Sequence, residues 1–121
     1  MEDRNDSIHR VMPGNRLSRA VVHNGTIYFS GIISDNLSSD FSEQMNNILQ
    51  KIDITLKELK SDKSRILSVT IYLTDISRDY DLMNKIWDAW IVPDQLPARA
   101  TMEVRLAKEE YKLEIMLIAA C

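Results

Sequence analysis

One cysteine, two histidines and three glycines are a thin supply of the residues that make cross-links, metal sites and phosphate cradles. The cysteine is the final residue, Cys121, so no internal disulfide can form, which suits a reducing cytoplasm. His9 and His23 stand at ligand spacing neither from one another nor from the cysteine, so no metal site is expected. Gly14, Gly25 and Gly31 form no glycine-rich phosphate loop, and no G-x-S-x-G nucleophile turn occurs. No apolar run of about 18 residues is present, which leaves no membrane-spanning helix. The opening M-E-D-R-N-D-S-I-H-R lacks the apolar centre of a signal peptide. The net charge is -3, and the Lys and Arg residues are scattered among acids. A nucleic-acid surface needs them clustered. What is present, 121 residues with 45% hydrophobic content, fits one globular domain over 1–121, with residues 1–15 as a polar N-terminal arm.

Along the chain, a short strand is expected near Ile8 to Met12. Then L-S-R-A-V-V-H and T-I-Y-F-S-G-I-I flank Asn24-Gly25, a two-residue hairpin signal because both turn positions need positive φ. Asp40 and Glu43 make a capping pair at the start of a helix. Its stripe is Phe41, Met45, Ile48, Leu49, Ile52, Leu56 and Leu59. R-I-L-S-V-T-I-Y-L-T-D alternates as a strand, with Leu67, Val69, Ile71 and Leu73 on one side. A second helix carries Tyr80, Met83, Ile86, Trp87 and Trp90 on one face, with Asp79 and Asp81 in its first turn. A strand from Arg99 to Leu106 follows Pro97, and the final strand contains L-E-I-M-L-I-A-A. The order predicts an α+β fold with both helices on one face of a single sheet. The last strand is apolar on both sides except at Glu114, and such strands are covered on both sides. A second copy of the chain is the expected cover, which predicts a homo-oligomer packed through helix-free sheet faces.

Two charges stand out. Glu114 lies on an otherwise apolar strand face, and burying a lone carboxylate costs several kcal/mol, so it needs compensation. If the last two strands form a hairpin through the Lys108 loop, Arg105 faces Glu114 and Arg99 faces Ala120. Glu114 then reads either as an ion pair with Arg105 or Lys112, or as a carboxylate acting on a water beside a ligand. Arg99 reads either as a surface charge or as a fork for a ligand carboxylate, through two parallel charge-assisted hydrogen bonds. Periodicity does not choose between these.

The sequence also resembles the RidA family, called YjgF elsewhere, of small enamine/imine deaminases. The matching residues are Pro97-Ala98-Arg99-Ala100, Arg105 and Leu113-Glu114-Ile115 at the C-terminal end. Upstream they are Ser30-Gly31, the V-T-I-Y-L-T-D run ending at Asp75, and Met83-Asn84. N-K-I-W-D-A-W from Asn84 to Trp90 looks like a YoaB-like branch. The resemblance covers about residues 16 to 121. It implies a chorismate-mutase-like fold, a homotrimer with clefts between subunits, and hydrolysis of 2-imino acids to 2-keto acids and ammonia without a cofactor. By the same resemblance Arg99 binds the substrate carboxylate and Glu114 positions a water. Ser30, Gly31, Asn84 and Thr101 line the cleft as substrate-binding residues. In one position the chain departs from the pattern: Leu17 stands where family deaminases commonly carry a substrate-reaching tyrosine. That opens a second reading, a non-catalytic binder of small 2-keto acids. A third reading, ribonuclease activity and translation inhibition, fits poorly with the acidic balance.

Overall fold

A computed structural model describes residues 7–121, so the first six residues of the expected arm lie outside it. The strands are β1 (His9–Pro13), β2 (Ser18–His23), β3 (Thr26–Phe29), β4 (Ile66–Leu73), β5 (Ala98–Glu103) and β6 (Leu113–Ala120), and the helices are α1 (Phe41–Glu58) and α2 (Ile76–Trp90). The strands form one sheet in the order β1-β2-β3-β6-β4-β5. β1, β2 and β3 form an antiparallel meander, and its β2–β3 turn has Asn24 at φ 51° and Gly25 at φ 78°, as the primed hairpin turn requires. α1 begins with the expected box: Glu43 N–H donates to Asp40 Oδ1 at 2.9 Å, and the Glu43 side chain accepts from the Asp40 amide. α2 is capped by Asp75, whose Oδ1 accepts from Arg78 N–H.

The two helices cover one face of the mixed sheet. Ile27, Phe29, Val69, Ile71, Leu73, Leu113, Ile115, Leu117 and Ala119 point into that interface and are buried. The alternation expected for the final strand is realised: Leu113, Ile115, Leu117 and Ala119 are buried, while Glu114, Met116, Ile118 and Ala120 face the helix-free side. Register assembles the open face into rows. Val21, Tyr28, Ile118, Ser68 and Ala98 lie side by side; the next row holds Met116, Thr70 and Ala100, and the next Glu114, Tyr72 and Met102. Tyr28, Met102 and Met116 stay exposed there.

Several expectations fail, each for a physical reason. β5 and β6 are not a hairpin. β5 runs parallel to β4 at the sheet edge, because α2 forms a crossover that returns the chain in the same direction. β6 inserts between β3 and β4 and is antiparallel to both. Arg105 therefore does not face Glu114, and Arg99 does not face Ala120; the register partners are Tyr72 for Glu114 and Val69 for Arg99. β5 ends at Glu103 rather than Leu106. Leu67 is exposed instead of lying with Val69, since a register shift between Ile66 and Ser68 breaks the alternation. Tyr80 is exposed too; the inner line of α2 is Asp79, Met83 and Trp87. Asp79 is buried there, its carboxylate accepting twice from Arg78, from Nε at 3.0 Å and from an Nη at 2.8 Å.

Candidate functional site

Arg99 and Thr101 share the register of Val69 and Ile71, so they point toward the helix side of the sheet, at its β5 edge. There the Arg99 guanidinium lies over the Trp87 ring of α2, with Cζ 5.6 Å from the ring centroid, close enough for a cation–π contact. Among the described residues Arg99 makes no ion pair and no side-chain hydrogen bond. Two residues on, Thr101 Oγ1 is buried without a hydrogen-bond partner among the described residues, an arrangement that costs free energy unless something satisfies it. Glu103, the next residue on that side, is engaged: its Oε1 accepts from the Ile76 amide at the start of α2. Asn84 is half-buried on α2, one turn before Trp87.

Glu114 belongs to the other side. Its carboxylate lies directly against Gly31: a Cβ built at Gly31 would sit 1.8 Å from Glu114 Oε2. Position 31 accepts glycine because the carboxylate occupies the space a side chain would take. The bridge between Ile32 and Ile115 fixes this contact, with Ile32 N–H donating to Ile115 C=O and Ile115 N–H donating back. Ser30 Oγ donates to Ser18 C=O at 2.6 Å, so its proton already ties β2 to the segment leading into Gly31. Glu114 has no ion pair among the described residues, with Arg105, Lys112 or any other cation. Leu17, at the entry to β2, is 64% exposed.

The predicted site residues thus fall into two groups. Arg99 and Thr101 lie on β5 at the helix side, with Asn84 one turn before the Trp87 that Arg99 meets; Gly31 and Glu114 meet at β6, with Ser30 next to Gly31 in the chain. The sheet lies between them, so one chain does not bring its own Arg99 to its own Glu114. A cleft of about 700 Å³ bordered by Thr74, Glu103, Arg105 and Lys108 contains neither group. Two neighbours of these groups were not among the site residues read from the sequence. Trp87 was legible as a core aromatic, but its contact with Arg99 depends on the crossover that brings β5 beside α2. Gln44 is fully buried: its Nε2 donates to Glu110 C=O at 3.1 Å and its Oε1 accepts from Lys112 N–H at 3.1 Å. It fixes the chain two residues before Glu114, and its place between Phe41 and Met45 on the apolar side of α1 was the available signal.

The comparisons with known proteins agree with this architecture. The family described as Endoribonuclease L-PSP matches residues 7–121. A RutC family protein from Haemophilus ducreyi is 41% identical over 93% of this chain and 96% of its own length. The RutC family protein YoaB of Escherichia coli is 42% identical over 94% and 98%. A crystal structure of a YjgF-family protein from Neisseria meningitidis superposes with a TM-score of 0.91 at 39% identity, covering 97% of both chains. With two helices on one face of a mixed six-stranded sheet and a match over nearly its whole length, the chain belongs to the endoribonuclease L-PSP family, the RidA/YjgF group of proteins.

Proposed function

We propose that the protein hydrolyses small 2-imino acids, the tautomers of reactive enamines such as 2-aminoacrylate, to 2-keto acids and ammonia, in clefts shared by neighbouring protomers of a homotrimer. The observation that carries this reading is the division of the site. An unpaired guanidinium beside an orphaned hydroxyl waits on one face, and an unpaired carboxylate seated on glycine waits on the other. A second copy that packs on the open face, over the exposed Tyr28, Met102 and Met116, and reaches round the β5 edge would bring a Glu114 to Arg99.

In that cleft Arg99 would take the substrate carboxylate in a bidentate grip. The Thr101 hydroxyl, which has no partner among the described residues, would gain one from the ligand or the neighbouring protomer. Asn84 would border the same pocket. Glu114 of the adjoining protomer would orient a water and accept one of its protons as the oxygen adds to the imine carbon. Returning that proton to nitrogen gives a carbinolamine; moving its hydroxyl proton to nitrogen as the C–N bond breaks releases ammonia and leaves the keto group. The imine carbon is already electrophilic, so holding the carboxylate, aiming one water and moving one proton suffices, with no cofactor.

The test is keto-acid formation from freshly generated 2-aminoacrylate or 2-iminobutyrate by wild type, Arg99→Ala and Glu114→Ala. Both variants should lose about 10²–10⁴-fold. Co-assembling the two inactive variants should then restore activity. In a randomly mixed trimer about a quarter of the clefts receive an intact Arg99 from one protomer and an intact Glu114 from the next. No recovery on mixing would refute the shared cleft.

A second reading rests on Leu17, which is exposed and has no hydroxyl to offer: the protein binds 2-keto acids and does not turn over imines. Ligand-dependent thermal protection without accelerated keto-acid formation would select it. RNA cleavage, the activity in the family's description, finds little support in a chain of net charge -3.

A further inference from the structure

The carboxylate-binding reading of Arg99 leaves open how a long, unpaired side chain is held ready. We infer that Trp87 is a positioning residue for Arg99, an aromatic rest that holds the guanidinium in place before ligand arrives; the inference depends on that reading. An arginine without a partner samples many rotamers, and ordering it on binding weakens affinity. Here the guanidinium carbon lies over the Trp87 ring, 5.6 Å from its centroid. A cation–π contact holds the charge over the ring while N–H donors remain to grip a carboxylate. The rest is itself braced. Trp87 is 6% exposed and packs against Trp90, with centroids 5.6 Å apart and planes tilted by 49°. Trp90 Nε1–H donates to Asp53 Oδ2 on α1 at 2.9 Å, and the Lys63 ammonium lies over its ring at 5.1 Å. The support for the ligand-gripping arginine therefore runs from α1 through two indoles to β5.

The chain contains only these two tryptophans, so single substitutions give residue-specific emission. In Trp90→Phe, titration with 2-oxobutanoate should give a saturable change in Trp87 fluorescence. In Trp87→Phe the remaining Trp90 should stay silent, although calorimetry still records binding. Arg99→Ala should abolish both signals. In the deaminase assay Trp87→Leu should raise KM about 3–30-fold with kcat nearly unchanged, and Trp87→Phe should recover most of that loss. Loosening of the fold alone would instead lower kcat through the folded fraction. A folded Trp87→Leu with wild-type KM, or Trp87 emission blind to a ligand that calorimetry shows bound, overturns the inference and leaves the carboxylate reading standing. If wild type shows no Arg99-dependent binding of 2-oxobutanoate, the carboxylate reading falls and takes the inference with it. If Trp87→Leu does not fold, the emission of Trp90→Phe decides alone.

Discussion

The helix-covered and open faces of the sheet are made by the same strands, yet only one of them is finished within a single chain. On the covered face Ile71, Leu73, Leu113 and Ile115 are fully buried by α1 and α2. On the open face, residues one step along the same strands alternate between apolar Met116 and Ile118, polar Thr70 and Tyr72, and the single carboxylate of Glu114. The covered face follows the rule for a domain core. The open face carries exposed apolar side chains and a carboxylate without an ion pair among the described residues. In the proposed assembly a second chain would cover that surface.

Neighbouring residues on β6 give the sharpest way to break this comparison. Ile115→Ala empties space in the covered interface and should cost about 2–5 kcal/mol of unfolding free energy. Met116→Ala, one residue away on the open face, should stay within about 0.5 kcal/mol for the dissociated chain yet weaken self-association. Denaturant melts combined with sedimentation at graded concentrations separate the two. If both substitutions destabilise the isolated chain equally, the faces do not differ as argued.

Gly31→Ala probes the open face where it is tightest. The added methyl would meet the end of a flexible side chain rather than backbone, so the fold should survive while the Glu114 carboxylate is pushed aside. Imine hydrolysis should fall about 100-fold, with the thermal midpoint nearly unchanged. A wild-type rate would mean that the position of this carboxylate is irrelevant to the chemistry.

Much of the covered face was legible in advance because it rests on local patterns. The α1 stripe, the Asp40–Glu43 box, the Asn24-Gly25 turn and the alternation of β6 each need only a few neighbouring residues. Partner choice among strands was not legible. Nothing within the Lys108 loop reveals that α2 has already committed β5 to a parallel place beside β4, and a hairpin between sequential strands was the simpler guess. The error at Leu67 has the same character, since a bulge shifts phase without a residue that announces it. For the site, Arg99 and Glu114 drew notice as charges out of place, but their separation across the sheet emerges only from the register.

Gln44→Leu tests how the covered side holds the open one. The substitution keeps volume but strips partners from Lys112 N–H and the Glu110 carbonyl. An unsatisfied buried group costs about 1–3 kcal/mol. Because these atoms precede Glu114, the turnover number should drop further than the lost stability accounts for at temperatures where the variant remains folded. Loss of stability alone would make Gln44 a core residue with no bearing on the site.

The smallest effect concerns the segment leaving Gly31. Lys51 Nζ donates to Ile33 C=O and to Asp35 Oδ1, both at 2.9 Å, and Asn47 Oδ1 accepts from the Asp35 amide, so α1 holds this segment from the covered side. The hydrogen bond from Lys51 is the main reason that the Asp35 carboxyl titrates below its ordinary value of 3.8, with partial burial opposing and the lysine's charge assisting. A carboxyl whose folded-state pKa is depressed adds stability above its unfolded value and loses it as pH falls through the lowered one. Wild type should therefore melt slightly above Asp35→Asn at pH 7, by a few degrees at most because the Asp35 carboxylate is largely exposed. The gap should close as pH falls below about 3.8 and narrow with added salt. A gap that persists at pH 2 would assign the effect to the amide's altered hydrogen bonding and remove the charge from the account.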